Sequence, residues 1–280
     1  MTRVLFFGSS AHSLIILNSL QSINSINLIG VVTKIDKPQP NPVALFSKKN
    51  KIPLFQTDTF DQNFLKIYKD LKPDLVLIVA YGPPYFTAEM IDIPKYKIIN
   101  IHPSPLPKYR GATPAPWQII NGENASAVTF FQLDELPDHG PIITQIPFLI
   151  DKKETSLSFY QKAFDLAAKN LNTVLDNYLK NPQNITFQDH SQKSYFPKLS
   201  RNIAKINWQD DINKIERFIR AMYDWPIAWT NVVNQKNQIL KMKIFSSEIV
   251  NSKLSINTVQ IEGKNQISWK EIEKYYKIVT

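Results

Sequence analysis

Cysteine is absent from the 280 residues, and the chain holds only 4 histidines, 4 methionines and 7 glycines. Without cysteine there is no disulfide framework and no thiol nucleophile, so packing alone must stabilise the fold. His12 and His190 have no carboxylate or second histidine at ligand spacing, and no zinc or iron site is expected. Gly8 is followed by Ser9, Ser10 and Ala11, which reads as a tight βα turn. Nothing satisfies Gly-x-Gly-x-x-Gly, so no nicotinamide cofactor is expected. No apolar run approaches the roughly 18 residues of a membrane helix, and the apolar start at Val4–Phe7 is too short for a signal peptide. The expectation is a cytoplasmic protein with no membrane partner.

Hydrophobic residues make up 43% of the chain, enough for a sizeable core, and 280 residues exceed the usual single domain. Apolar runs of strand length at 3–7, 28–33, 74–80, 97–101 and 127–131 alternate with helical stretches near 12–22, 42–50, 61–71, 86–91 and 112–121. Such alternation predicts an α/β, Rossmann-like domain with a mostly parallel sheet. A long apolar stripe from Ser156 to Lys180 predicts a helix that closes this domain. The polar stretch from Asn181 to Lys193 reads as a connection, and Ile212, Ile215, Phe218, Ile219 and Met222 mark a further helix that stops before Asp224-Trp225-Pro226. Strand-like runs at 229–234, 239–245, 257–261 and 266–269 then predict a small C-terminal β-barrel. The boundaries drawn are 1–185 for the catalytic domain, 186–205 for the connection and 206–280 for the barrel-like domain.

The densest chemistry lies in Asn100-Ile101-His102-Pro103-Ser104-Pro105-Leu106-Pro107-Lys108-Tyr109-Arg110-Gly111. In an extended chain residues two apart share a face, so Asn100 and His102 can reach one substrate atom together. The prolines at 103, 105 and 107 end the strand and stiffen the loop beyond it. A carboxylate partner is offered by Asp138, between Pro137 and Gly140 in a turn-type sequence after the run Ala127–Phe131. An amide N–H can hold a developing oxyanion while a carboxylate orients an imidazole, and the three together suit acyl transfer. Beside Asp138, His139 reads as a solvent-facing turn residue.

Asn100, His102 and Asp138, with Ser104–Gly111 between them, resemble the signature of the folate-dependent formyltransferases, departing from its usual loop only by Pro105 in place of a leucine. Further similar blocks are Val4–Ser10, Val79-Ala80-Tyr81-Gly82, Tyr195–Ser200 and Ile219–Pro226. The resemblance implies a catalytic trio of Asn100, His102 and Asp138, with 10-formyltetrahydrofolate as donor and no metal. For the folate it implies Ser104, Pro105, Leu106 and Pro107, together with Tyr81, Gly82 and Tyr85. The later blocks imply initiator methionyl-tRNA as acceptor, a monomeric enzyme, and a C-terminal, OB-like barrel that helps to hold the RNA and is trimmed here.

Charge points the same way: 33 Lys and Arg against 24 Asp and Glu give a formal net charge of +9, which favours polyanionic partners. The basic residues expected to touch RNA are Lys108, Arg110, Lys198 and Arg201. Against this, Asp36-Lys37-Pro38 is followed almost directly by a helix, where the family usually carries a longer basic loop. An amino-sugar nucleotide or other small amine is therefore the alternative acceptor. A third reading, an RNA-binding remnant without turnover, conflicts with an intact trio.

Overall fold

The computed structural model describes residues 1–279. Its first sheet has seven strands: β1 (Thr2–Gly8), β2 (Ile26–Thr33), β3 (Leu54–Gln56), β4 (Leu75–Val79), β5 (Ile98–His102), β6 (Ala125–Gln132) and β7 (Ile142–Leu149). They lie in the order β3-β2-β1-β4-β5-β6-β7. β1 runs parallel to β2 and β4, β2 to β3 and β4 to β5, whereas β6 runs antiparallel to β5. The expected mostly parallel sheet is thus present. The order of succession reverses between β1 and β4, and in open α/β sheets the crevice beyond the carboxyl ends of strands at such a reversal binds ligands.

Six helices alternate with or follow these strands: α1 (Ala11–Gln21), α2 (Pro42–Lys49), α3 (Gln62–Leu71), α4 (Ala88–Asp92), α5 (Pro114–Ile120) and α6 (Ser156–Lys180). Polar residues start most of them. Ser10 accepts from the Ser13 amide in a capping box, Asn41 caps α2 with Pro42 in its first turn, and Asp61 accepts from Phe64. The central strands are covered on both faces: Val4 to Phe7 and Leu75 to Leu77 are all 0% exposed. On one face Leu5, Phe7, Val32, Phe64, Tyr68, Tyr81 and Met90 form a continuous core rich in rings, with Phe7 edge-on to Tyr81 at 5.3 Å. Each fully buried side chain of this size stabilises the fold by roughly 1.5–3 kcal/mol before entropy is counted.

The chain continues through α7 (Ile212–Ala221), β8 (Ala228–Asn234), β9 (Ile239–Val250), β10 (Lys253–Ile261), β11 (Gln266–Ser268), α8 (Trp269–Ile272) and β12 (Tyr276–Ile278). These five strands form a second, antiparallel sheet in the order β11-β10-β9-β8-β12. Among the described residues β11 does not return onto β12, so the expected barrel takes the form of an open sheet. The helix α7 buries Ile215, Ile219 and Ala221 and packs on β9. Asp211 starts it by accepting from Asn213 and Lys214, and it ends ahead of Asp224-Trp225-Pro226 as its spacing predicts.

The chain divides into two compact units. One comprises 1–112, 127–148 and 161–195, and the other comprises 113–126, 149–160 and 196–280. Both units are discontinuous along the chain, and within the second α5 packs with α7. The Arg217 guanidinium donates to the Ile120 carbonyl at the end of α5 (3.1 Å), a tie across 97 residues that local pattern does not reveal. The stretch 186–195, expected to be a connection, belongs with the first unit.

Candidate active site

Strand β5 ends on the predicted pair. Asn100 and His102 alternate with Ile99 and Ile101, and facing partners on β6 are Phe131 and Thr129. His102 is 6% exposed, and its Nε2 lies 3.0 Å from the Tyr109 carbonyl. Because a carbonyl only accepts, Nε2 carries the proton there and Nδ1 is left facing Asp138, with its Oδ1 at 3.7 Å. A proton arriving at Nδ1 would thus lie between imidazole and carboxylate. The Asn100 carboxamide is half-buried and has no side-chain hydrogen bond among the described residues. It is free to donate to a substrate oxygen.

Asp138 is positioned by its own loop. Its φ of +52° is left-handed, a region that Asp tolerates better than most residues. Its Oδ2 accepts from the Gly111 amide at 2.7 Å, which ties the carboxylate to the far end of the proline loop. Two residues on, a Cβ at Gly140 would stand 2.0 Å from the Gln132 carbonyl oxygen, so the chain passes a strand backbone at a distance only glycine allows.

The proline loop is held from both sides. The Ser104 hydroxyl donates to the Lys108 carbonyl (2.8 Å), and the Thr129 hydroxyl donates to that of Ser104 (2.6 Å). Gln145 Nε2 donates to the Leu106 carbonyl at 2.8 Å. Ser104 and Leu106 are 0% and 3% exposed, so their side chains build the loop, and the surfaces left for a ligand are those of Pro105 and Pro107. Tyr81 is likewise internal: it is 4% exposed, its hydroxyl donates to the Thr57 carbonyl, and burial pushes its phenol up. By contrast Gly82 (φ +72°) is exposed with nothing within 4 Å of a built Cβ, and Tyr85 is exposed beside it. Lys34 reaches this turn, donating to the Pro83 carbonyl and lying 4.2 Å from the Tyr81 ring centre; burial lowers its ammonium's pKa.

One expected nucleic-acid contact is corrected. Arg110 is 1% exposed, and its guanidinium donates to Gln188 Oε1 (2.6 Å), His190 Nδ1 (2.9 Å) and the Tyr195 hydroxyl (3.1 Å). It cannot reach a phosphate; it pins 186–195 to the proline loop. Lys108, Lys198 and Arg201 are exposed as that role requires. His139 is corrected too. Its Nδ1 sits 2.6 Å from Asp134 Oδ2, and its ring stacks on His190 with centroids 3.9 Å apart. Burial, His139 and Arg110 together hold the His190 imidazole below its ordinary value. Among the described residues there is no group of three side chains that could hold a metal ion. Gln188, His190, Ser194 and Tyr195 had no signal as site residues, because their partners lie at least 48 residues away.

An amide and an imidazole–carboxylate pair beside a proline-stiffened loop are equipment for acyl transfer, and the sequence matches accordingly. Residues 2–175 match the formyl transferase family and residues 198–253 match its C-terminal domain. The chain belongs to the formyl transferase family. Among curated proteins it is similar to the methionyl-tRNA formyltransferase of Alkaliphilus oremlandii, 32% identical over 260 residues that cover 88% of this chain and 84% of that one. Among solved structures it resembles the sugar 3N-formyl transferase WlaRD in the presence of dTDP and 5-N-formyl-THF (TM-score 0.63, 23% identity, 96% and 97% covered). It also resembles a methionyl-tRNA formyltransferase from Clostridium thermocellum (TM-score 0.59, 15% identity, 93% and 99% covered). The fold is thus shared by enzymes with different acceptors.

Proposed function

We propose that the protein, as a cytoplasmic monomer, transfers the formyl group of 10-formyltetrahydrofolate to the amino group of initiator methionyl-tRNA. The observation that carries the chemistry is the unpaired Asn100 carboxamide at the end of the same strand that presents His102 to Asp138 at 3.7 Å. The choice of acceptor is supported by curated relatives that carry the methionyl-tRNA formyltransferase name across most of the chain.

In this reading the donor supplies an electrophilic formyl carbon. Asn100 donates to the oxygen on which charge develops when the amine nitrogen bonds to that carbon, an interaction of about 3 kcal/mol when well placed. The His102–Asp138 pair takes the proton that the amine loses and returns a proton to the folate nitrogen as its bond to the formyl carbon breaks. Tyr109, through its carbonyl, keeps the imidazole from turning. The proline loop and the turn at Gly82 fit a flat heterocycle, because Pro105 and Pro107 offer partly exposed apolar faces and no side chain fills the space at Gly82. Lys108, Lys198 and Arg201 are the candidate phosphate contacts.

One observation favours a small amine instead. Only Lys34 to Asn41 separate β2 from α2, and this loop is folded on itself: Asp36 Oδ1 accepts from the Asn41 amide (2.9 Å), and Lys37 pairs with Asp58 at 3.5 Å. No long basic insertion is available there. A formyl-transfer assay with 10-formyltetrahydrofolate decides: product on methionyl-tRNA supports the first acceptor, and product only on an amino-sugar nucleotide replaces it.

A further inference from the structure

Gln188 is 6% exposed, and both ends of its carboxamide are engaged. Nε2 donates to the carbonyls of Asp138 (3.1 Å) and Gly140 (2.7 Å), while Oε1 accepts from Arg110 Nη2 at 2.6 Å. The first two partners flank the catalytic carboxylate, whose left-handed backbone has to be held from outside. The third is the residue that follows Tyr109, whose carbonyl holds His102 Nε2. Ser194 adds to the same clamp: its hydroxyl accepts from the Tyr109 amide (2.9 Å), and its carbonyl accepts from the Arg110 amide (2.9 Å). One buried amide therefore grips the loop that carries Asp138 and, through Arg110, the loop that orients His102.

We infer that Gln188 is a positioning residue for formyl transfer: it sets the placement of Asp138 against His102 by donating to one loop and accepting from the other. The inference rests on Asn100, His102 and Asp138 being the reacting groups. Gln188→Met keeps the shape and removes all three hydrogen bonds. Its kcat should fall at least tenfold, by analogy with other misplacements of about 1 Å, while KM for 10-formyltetrahydrofolate stays within about twofold.

A double-mutant cycle separates positioning from packing. In an Asp138→Asn background, where there is no carboxylate charge left to aim, Gln188→Met should cost less than about twofold. The same loss in both backgrounds, or wild-type kcat in Gln188→Met alone, overturns the inference. Gln188→Glu keeps an acceptor for Arg110 but turns lone pairs toward two carbonyls. It should lose kcat as the Met variant does, and it carries the test if Gln188→Met does not fold; wild-type kcat in it overturns the inference as well. His102→Ala separates the two levels of the reading. Full turnover in that variant sinks the assignment of the reacting groups and this inference with it, whereas a dead His102→Ala beside a normal Gln188→Met removes only the role of Gln188.

Discussion

The two sheets of this protein use β-structure for opposite purposes. In the first, β4 is buried at all five positions, so a side chain at a strand end is held by packing on every side. In the second, β8 alternates between buried and partly exposed residues, and β9 sets exposed Lys241 and Lys243 around buried Met242. Lys241 lies 4.2 Å and Lys205 5.7 Å from the Trp229 ring centre, so this sheet shows a basic, partly aromatic face. The first sheet brings His102 up to Asp138 at a strand end, and the second makes a surface. A substitution in the first should act on rate, and one in the second on affinity.

The sharpest way to break that division is His102→Ala, expected to lower turnover about 10³-fold, with folate affinity little changed. Asn100→Ala should follow at about 10²-fold in kcat, measured at saturating donor so that binding does not enter. If either variant raised KM and left kcat alone, the trio would be a binding site rather than a reacting one. Gly140→Ala moves the effect from rate to stability: its Cβ has no room beside the Gln132 carbonyl, and urea unfolding should show a loss of about 3 kcal/mol. On the exposed side, Lys198→Ala and Arg201→Ala should raise KM for methionyl-tRNA a few-fold at unchanged kcat, each reducing the salt dependence of binding by about one counterion. The smallest effect concerns His190. Its folded form resists protonation, so stability is retained above its ordinary pKa of 6.5 and declines as pH falls from there through the lowered folded value. Melting curves between neutral and acid pH should show this decline flattened in His190→Gln.

Much of the first sheet is legible in the sequence because burial on both faces leaves unbroken apolar runs. β1, β2, β4, β5 and β6 all fall on such runs. β3 escaped because three residues are too few for any period, and β7 because its residues are partly exposed and Pro147 interrupts it. Asn100, His102 and Asp138 stand out by residue type and spacing, and the structure brings His102 and Asp138 together. Arg110 was misread because a positive charge in sequence says nothing about burial, and its partners Gln188, His190 and Tyr195 come from a stretch whose polar composition looks like a linker. The short polar links that join loops are set by tertiary placement, which no local pattern encodes.

The left-handed backbone of Asp138 has a consequence for anyone selecting variants of this protein. Among residues with a side chain, that conformation favours asparagine and aspartate, so Asp138→Asn leaves the backbone content and keeps an acceptor for the Gly111 amide. Expression level, solubility and melting temperature would all report a healthy protein. A library sorted on such readouts would therefore pass clones of much reduced turnover at this position while discarding every change at Gly140, two residues away. Only a screen coupled to formylated product sees the difference.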